Sequence, residues 1–283
     1  MIKNIRKKLV ISLCIIVLCS STGFVLEQYY ELSQPGLIVL LYHRITTETS
    51  SKNKYVLDIR KFQQQVEYIN GHGYSSILPK EIINSNVKKN GRNIIILSFD
   101  DGTSDHFSIV YQTLKTNSQK GVFFITTKYV NSRGYLSGDE INEMSHGGME
   151  IGSHSYSHSL LDELNYEEIY HELRESKDQL EEISGEKVYS FAPPGGWFNA
   201  DVVRAARDVG YKLFFGCEIG TNDLSKKRFL YRRIEVMGNI SFEEFQRLLD
   251  PPQILSYKVV QSLKFVVHNL IGSKNYQELS NLL

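Results

Sequence analysis

Four short groups of residues in this sequence each follow an apolar run, and their side chains could together carry out a hydrolysis. They are Tyr42-His43, Asp100-Asp101, the pair His154 and His158, and the turn 193–195. The carboxyl ends of parallel strands share one face of an α/β protein, so these groups are expected to meet there. Carboxylates and imidazoles bind zinc or a similar divalent ion, and three such ligands leave a position for water. The sequence therefore predicts a metal-dependent hydrolase.

The two adjacent aspartates suggest a division of labour. Asp100 and Asp101 follow the apolar run 94–97. Asp and Gly are also favoured in ordinary turns, so the pair alone fits a turn equally well. Hydrolysis gives each carboxylate a purpose, because one can bind the ion while its neighbour removes a proton from water. His154 and His158 are four residues apart and could embrace an ion from a helix or a loop; the alternative is a pair of surface histidines.

His43 and the turn that contains Pro194 and Gly195 supply further candidates for the reaction. His43 ends the first predicted strand and is a candidate general acid, or else a packing residue. Pro194 and Gly195 belong to a rigid turn where a backbone N–H could hold an oxyanion, because proline fixes the backbone and glycine allows close approach. Trp197, the one tryptophan of the chain, could stack on a sugar or be structural. The other histidines lack such a context and are interpreted as ordinary residues: His72, His106, His146, His171 and His268.

Composition limits the class of protein. The chain has 283 residues, of which 41% are hydrophobic and 23% charged, as in folded globular proteins. Lys plus Arg and Asp plus Glu number 32 each, so the basic surface that nucleic-acid binding needs is not indicated. The 17 tyrosines and 14 phenylalanines could line a sugar groove or fill the core.

The N-terminus predicts export. Four basic residues before position 9 precede an apolar stretch over 9–26. This pattern is typical of a cleaved signal, and the stretch also reaches about the minimum length of a membrane anchor. Residues 1–30 are therefore predicted to be an export signal or a membrane anchor with its connector. The positive charges before the apolar stretch place the rest of the protein outside the cell, secreted or at the extracellular face of the membrane. Cys14 and Cys19 fall in this segment, which leaves Cys217 without a disulfide partner, as a buried strand residue.

Strand and helix patterns alternate through residues 36–250, which predicts a parallel sheet, open or closed into a barrel. Beyond it, the appendage 251–283 contains an amphipathic helix over 254–271 that would dock on the barrel or lie on a membrane surface. The predicted strands are 37–41, 74–78, 93–99, 121–126, 149–152, 188–192, 213–217 and 231–236. The predicted helices begin near 59, 104, 138, 166, 200 and 242.

These motifs resemble the polysaccharide deacetylase family, which shares the NodB homology domain. The family's Thr-Phe-Asp-Asp-Gly motif corresponds to 98–102, its His-Ser/Thr-x-x-His motif to 154–158, and its Arg-Pro-Pro-Tyr-Gly motif in part to 192–196. The segment 40–45 is similar to the branch that deacetylates poly-β-1,6-N-acetylglucosamine. In that branch the barrel is circularly permuted, and the histidine that acts as catalytic acid lies near the N-terminus.

The resemblance implies a distorted (β/α) barrel with fewer than eight repeats, circularly permuted. Asp101, His154 and His158 would hold a divalent ion, most simply Zn²⁺. Asp100 would be the general base, His43 the general acid, and a backbone N–H near Gly195 would face the oxyanion. The sequence also departs from the family at two points. Ala192 stands where an arginine commonly contacts the base, a role that Arg233 could take over, and no Asp-x-x-x-Trp motif is found.

The implied activity is removal of N-acetyl groups from an extracellular N-acetylglucosamine polysaccharide. Poly-β-1,6-N-acetylglucosamine is the expected polymer, and a peptidoglycan or chitooligosaccharide deacetylase is the alternative. A non-catalytic glycan-binding protein on the same scaffold is the alternative of a different class. The partners expected are therefore the polysaccharide, and the membrane if the N-terminal segment is retained, with no nucleic acid.

Overall fold

A computed structural model describes residues 36–48, 53–83, 87, 93–226, 228–250, 272 and 274 of the chain. The predicted signal or anchor over 1–30 and the predicted helix over 254–271 lie outside the described residues. Within the described ranges, no helix combines the length and the apolar character needed to cross a membrane. The division into segments 1–30, 36–250 and 251–283 stays a prediction.

Strands and helices alternate along the chain. The strands are β1 (Ile38–Tyr42), β2 (Arg44–Thr46), β3 (Val56–Asp58), β4 (Tyr74–Ser76), β5 (Asn93–Phe99), β6 (Val122–Ile125), β7 (Glu150–Ser153), β8 (Ser190–Phe191), β9 (Leu213–Phe215), β10 (Leu230–Tyr231) and β11 (Ile234–Glu235). The α-helices are α1 (Ile59–Gly71), α2 (Pro79–Ile83), α3 (Gln112–Thr116), α4 (Gly138–His146), α5 (Tyr166–Ser184), α6 (Ala200–Val209) and α7 (Phe242–Leu248). A π-helix, His106–Tyr111, runs directly into α3, and short 3-10 turns span Thr127–Tyr129, Leu161–Glu163 and Pro194–Gly196.

The main sheet is parallel, with the strand order β10-β9-β8-β7-β6-β5-β1-β11. Strand β4 pairs with the start of β5, and β2 pairs with β3 in a small separate sheet. The predicted α/β class with a parallel sheet is confirmed. The alternation of strands and helices in the sequence supported this prediction, because two neighbouring parallel strands must be joined by a crossover connection.

The sheet is curled rather than flat. The rings of Phe124 on β6 and Phe215 on β9 lie 5.4 Å apart between centroids, although β7 and β8 separate their strands. In a flat sheet, three strand spacings would place these strands about 14 Å apart. The first and last strands of the sheet, β10 and β11, are also consecutive in the chain, with Arg232 and Arg233 between them. The sheet therefore curls toward a distorted barrel, which agrees with the fold that the family resemblance implied.

Successive residues of the strands point alternately to two apolar cores. On β1, Leu40 packs in the larger core with helix residues such as Phe62 and Leu173, whereas Val39 packs in a smaller core. The smaller core is the inside of the curl, because its members come from strands at both ends of the sheet. These include Val39, Ile96, Val122, Phe124, Phe215 and Tyr231.

Helix ends follow their local sequence signals. Ser137 with Glu140, Asn165 with Glu168, and Ser241 with Glu244 each form the reciprocal side-chain-to-backbone bonds of a capping box. Gly185 ends α5 in the left-handed conformation that glycine adopts without strain. These boundaries agree with the sequence because they depend on only a few neighbouring residues.

Two predicted elements differ in the structure. The predicted strand 231–236 was wrong as a single strand, because β10 pairs with β9 while β11 pairs with β1 at the opposite edge of the sheet. Local periodicity cannot show that one segment serves two edges. Cys217 was predicted to be a buried strand residue, but it lies past the end of β9 and is half-buried.

Glu150, at the start of β7, is a carboxyl group placed inside the protein. Its side chain is buried and accepts hydrogen bonds from the Ser190 hydroxyl at 2.5 Å and from the Lys80 backbone N–H at 2.8 Å. Burial raises the pKa of Glu150 to about 7, and these hydrogen bonds offset the rise only in part. The folded protein therefore holds a proton here that the unfolded chain releases above about pH 4.5.

We expect the stability of the protein to fall between about pH 4.5 and pH 7 through this group. The folded state binds more protons than the unfolded state in that window, so the contribution is complete at the acid end and is lost as the pH rises. In the variant Glu150→Gln this loss disappears, and above pH 7 the variant is more stable than the wild type by on the order of 2 to 3 kcal/mol. Urea unfolding at pH 5 and pH 8 tests this expectation. An equal difference between the two proteins at both pH values would contradict it.

Candidate metal and catalytic centre

Backbone hydrogen bonds align the ends of five neighbouring strands. The Asp100 N–H donates to the Tyr42 carbonyl at 2.9 Å, which sets the exit of β5 beside the exit of β1. The His154 N–H donates to Ile125 at 3.0 Å, and the Ala192 N–H to Ser153 at 3.0 Å, so β6, β7 and β8 end at the same level. The polar groups that follow these strands are thereby brought to one face of the sheet.

Three of the predicted ligands converge. Nε2 of His154 is 3.5 Å and Nε2 of His158 is 3.3 Å from Oδ1 of Asp101. All three donor atoms lie within 4.8 Å of one another. Tetrahedral zinc with bonds of about 2.0–2.1 Å places its donors about 3.3 Å apart. The donor types and the spacing of this cluster therefore fit a zinc-like ion with a further position for water.

His154 is oriented from behind. Its Nδ1 lies 2.8 Å from the Ala192 carbonyl, and its side chain is buried. A carbonyl can only accept, so Nδ1 carries a hydrogen, and Nε2 is the nitrogen that faces Asp101. Holding the second nitrogen of a ligating histidine in this way is a common arrangement at metal sites.

The loops that carry the ligands contain backbone in an unusual conformation. Asp101, Ser155 and His158 have φ values of 82°, 62° and 66°, in the left-handed region that non-glycine residues seldom adopt. Such conformations cost roughly 1–3 kcal/mol each and persist only where the surrounding structure enforces them. The sharp turns let the two histidines and Asp101 aim at a common point.

Serine hydroxyls hold the histidine loop in place. The Ser155 hydroxyl accepts from the His158 N–H at 3.1 Å. Glu172 of α5 accepts from the Ser157 N–H at 2.8 Å and from the Ser157 hydroxyl at 2.6 Å. Ser153 bonds to the buried hydroxyl of Ser176 on the same helix. Sequence reasoning missed Glu172 and Ser176, because nothing in a helical pattern marks the residues that face a particular loop.

Asp100 and Arg233 form a buried ion pair. The two guanidinium nitrogens donate to the two carboxylate oxygens at 2.7 and 2.9 Å, and Nε donates to the Gly216 carbonyl at 3.1 Å. The side chains are 0% and 3% exposed for Arg233 and Asp100. The structure therefore brings Arg233 to the aspartate that sequence reasoning suggested as its partner, from a position far along the chain.

Both aspartates are held in the ionised form. Burial by itself would raise the pKa of Asp100, but the charges of Arg233 and His154 and the hydrogen bonds of Arg233 lower it below the ordinary value. Partial burial likewise works against Asp101, and the hydrogen bonds of His154 and His158 hold its pKa well below the usual range. Asp100 is thus a buried carboxylate 3% exposed, and Asp101 is a carboxylate 34% exposed that belongs to the candidate metal cluster.

His43 stands at the end of β1, beside the exit of β5. Its side chain is 18% exposed, and Nδ1 lies 3.7 Å from a carboxylate oxygen of Glu235. The ring of Tyr55 packs against it at 5.0 Å between centroids. The charge of His43 also contributes to the lowered pKa of Asp100 and Asp101, as expected of a group on the same face. Sequence reasoning missed Glu235, which reaches this position only because β11 pairs with β1.

The turn after β8 lies next to the ligand loop. It begins two residues beyond Ala192, whose carbonyl orients His154. Pro194 is buried, Gly195 has a φ of 65°, and Trp197 follows the turn half-buried. A Cβ on Gly196 would come within 2.3 Å of the Cys217 sulfur, so glycine is required for this close approach. The roles predicted for Pro194, Gly195 and Trp197 toward a substrate stay predictions.

Residues 87–214 match the family model described as polysaccharide deacetylase. A curated relative, the putative polysaccharide deacetylase YxkH of Bacillus subtilis, is 25% identical over 211 residues, which is 74% of each chain.

Solved structures share the fold. The Streptococcus pyogenes deacetylase PplD, in complex with acetate, has a TM-score of 0.71 at 24% identity and covers 77% of this chain and 100% of its own. The structure of IcaB from Ammonifex degensii has a TM-score of 0.66 at 21% identity, with 80% and 98% covered. At these identities the likeness extends to the fold alone.

The cluster predicts how metal binding divides between the adjacent aspartates. We expect Asp101→Asn and His158→Ala to weaken Zn²⁺ binding by more than about 100-fold, beyond the 10- to 100-fold typical for a residue behind a ligand. Asp100→Asn should bind Zn²⁺ about as tightly as the wild type, because Asp100 is outside the cluster. Competition with a chromogenic chelator on metal-stripped protein measures all three. Loss of binding in Asp100→Asn with retention in Asp101→Asn would exchange the two roles.

The same variants test the ion pair. Asp100→Asn leaves the buried Arg233 charge without its counter-charge, which typically costs about 3–5 kcal/mol of stability. The double variant Asp100→Asn with Arg233→Met removes the orphaned charge and should regain most of this loss. Urea unfolding of the three proteins provides the comparison. A double variant no more stable than the single one would show that the pair is not what holds this region together.

Proposed function

We propose that this protein is an N-deacetylase that removes acetyl groups from N-acetylglucosamine units of an extracellular polysaccharide, since residues 87–214 match the polysaccharide deacetylase family model. One observation gives this proposal its main support. A carboxylate base paired with Arg233, a three-donor metal cluster and a histidine lie together at the ends of adjacent parallel strands. Hydrolysis of an amide needs a base, an electrophile and an acid, and these groups supply all three.

Asp100 and the candidate metal cluster act in the attack of water on the acetyl group. Asp101, His154 and His158 would hold a divalent ion, which would supply a Lewis acid for the carbonyl and lower the pKa of water. Asp100 accepts the proton of the attacking water. Arg233 keeps that carboxylate ionised and fixed in orientation by its two hydrogen bonds, so the base is ready before substrate arrives. In the family that this sequence resembles, an arginine at the position of Ala192 commonly contacts the base, and we propose that Arg233 has this role here.

His43 completes the reaction at the other side of the scissile bond. An amine is a poor leaving group until its nitrogen gains a proton, so His43 donates one as the C–N bond breaks. Glu235 occupies the Nδ1 side of the ring, which leaves Nε2 for the substrate nitrogen. The products are acetate and a glucosamine unit, and the proton taken by Asp100 balances the one given by His43.

The exposure of the site supports a large substrate. The side chains of Asp101 and His158 are each 34% exposed, and Tyr55, next to His43, is 36% exposed. On the other side, the Thr103–Tyr135 bridge holds Tyr135, stacked on Tyr129, beside the Asp101 loop. Aromatic rings on both sides of an open centre suit sugars bound along a groove, because ring faces pack against apolar sugar faces. Trp197 and the turn at Pro194 and Gly195 are proposed to contribute to the same groove.

The identity of the polymer rests on the segment 40–45. It resembles the branch that acts on poly-β-1,6-N-acetylglucosamine, in which the acid histidine also precedes the Asp-Asp motif. Because this polymer lies outside the cell, we propose that the N-terminal segment exports the enzyme, either secreted or anchored at the outer face of the membrane. Free amines would give the polymer positive charge and favour its retention on anionic surfaces.

A panel of acetylated glycans tests the proposal. We expect the Zn²⁺-loaded enzyme to release acetate faster from β-1,6-linked N-acetylglucosamine oligomers than from chitin oligomers of equal length, which differ only in linkage, or from peptidoglycan. Asp100→Asn, which binds the metal but lacks the base, is the matched control and should show no release above background. Acetate is quantified by a coupled enzymatic assay.

Each other result selects an alternative. Preference for peptidoglycan or chitin oligomers would replace the polymer and keep the chemistry. Binding of the oligomers without acetate release from any of them would favour a glycan-binding protein on this scaffold.

A second prediction concerns the general acid. His43→Ala should retain bound Zn²⁺ and folding, while its turnover of N-acetylated oligomers falls by about 100- to 10,000-fold. Hydrolysis of p-nitrophenyl acetate, whose phenolate leaves without a proton, should change by less than about fivefold. Parallel assays with the two substrates provide the test. Equal losses on both substrates, or near-normal oligomer turnover, would show that His43 is not the acid.

A further inference from the structure

Two consecutive side chains hold the backbone around His43. The carboxylate of Asp105 accepts from the Ile45 N–H at 2.7 Å, and Nε2 of His106 lies 3.0 Å from the His43 carbonyl. These contacts join positions 60 and 63 residues apart. They fasten the chain on both sides of Arg44, immediately after β1.

The carboxylate of Asp105 binds the segment after β1 and not its own helix. The backbone of Asp105 is already helical, so its side chain caps none of the first N–H groups, as a residue with extended backbone would do. Its carboxylate is directed to Ile45 instead. The residue is 7% exposed, and Arg44 lies 3.8 Å from its other oxygen. This buried carboxylate therefore ties the start of the π-helix to the backbone N–H that follows His43 and Arg44.

His106 is more deeply placed still. Its side chain is fully buried, and its ring packs at 5.8 Å and 5.6 Å from the rings of Phe99 and Phe123. Because a carbonyl only accepts, Nε2 carries the hydrogen that reaches His43. Nδ1 is buried with no hydrogen-bond partner among the described residues. Burying such an atom without a partner is unfavourable, so an apolar residue would be the better choice for packing alone.

The π-helix itself begins at His106 and lies a few residues beyond Asp100 and Asp101. Segments of π-helix occur frequently at functional sites. From these observations we propose that Asp105 and His106 are positioning residues that hold His43 against the scissile nitrogen. The segment that supplies the base and a metal ligand thereby also sets the place of the acid. The proposal rests on the acid role of His43 in the proposed function.

The test begins with His106→Leu, which keeps an apolar residue of similar bulk and removes the donor. We expect the turnover of N-acetylated oligomers to fall by about 10- to 100-fold, the scale of a small misplacement of a reacting group. Zn²⁺ affinity and hydrolysis of p-nitrophenyl acetate should stay within about threefold of the wild type. A purely structural role would lower both activities together. His106→Gln, whose amide nitrogen can donate to the same carbonyl, should recover most of the oligomer turnover.

Asp105 offers an independent variant in case His106→Leu does not fold. Asp105→Asn keeps an acceptor for the Ile45 N–H and should be nearly as active as the wild type, whereas Asp105→Ala should show the selective loss on oligomers. Ser108→Ala, which removes an exposed hydroxyl of the same π-helix bonded to Ser104, is the matched control and should change neither activity.

A double-mutant cycle with His43→Ala decides the mechanism. Once His43 is absent, His106→Leu should cause no further loss, because a positioning residue acts only through its target. An additional loss equal to that in the wild-type background would overturn the proposal, as would oligomer turnover in both His106→Leu and Asp105→Ala within threefold of the wild type. If the wild-type enzyme releases no acetate from any glycan of the panel, the proposed function fails and this proposal fails with it. Loss in His43→Ala without loss in the other variants removes this proposal alone.

Discussion

The buried ion pair between Asp100 and Arg233 is the interaction on which the rest of the structure depends. Arg233 lies between β10 and β11, the two strands at opposite ends of the sheet, and its guanidinium reaches Asp100 at the end of β5. A charge in this position must be paired, because an uncompensated buried ion is strongly destabilising. The pairing therefore ties the segment between the two edge strands to the end of β5, and it fixes the orientation of the proposed base through the same two bonds.

In the loops that carry the candidate metal ligands, the backbone adopts a strained conformation that directs the ligand side chains to one point. Asp101, Ser155 and His158 adopt left-handed backbone that a simple turn would assign to glycine. Glycine would relax the backbone and would also delete the carboxylate or the imidazole. The hydrogen bonds from Ser155 and Glu172 hold the histidine loop in this conformation. The precision of the cluster thus comes from the helix packed beside the loop as much as from the ligands.

Much of the centre was accessible from sequence because it follows one rule. Asp100, His154 and His43 each come directly after a buried run, and parallel strands bring such positions to one face. The supporting contacts follow no such rule. Glu235 reaches His43 only through the pairing of β11 with β1, and the division of 231–236 between two sheet edges has no local signature. Asp105 was hidden for a different reason, since an aspartate before a helix looks like an ordinary cap, and His106 looked like an ordinary histidine.

Hydrolysis of a polymer needs a base that is shielded from solvent and a metal site that a long chain can reach. The residues of the centre differ in burial accordingly. The proposed base is 3% exposed beside a fully buried arginine, a setting that keeps its charge and orientation independent of solvent. The ligands Asp101 and His158 are 34% exposed, so a chain too long to be enclosed can still approach them. Asp100 and Asp101 are adjacent, and the left-handed backbone of Asp101 ends the extended run of β5 at this point. Because consecutive side chains of an extended chain point to opposite sides, neighbouring carboxylates at the end of one strand can serve the interior and the surface.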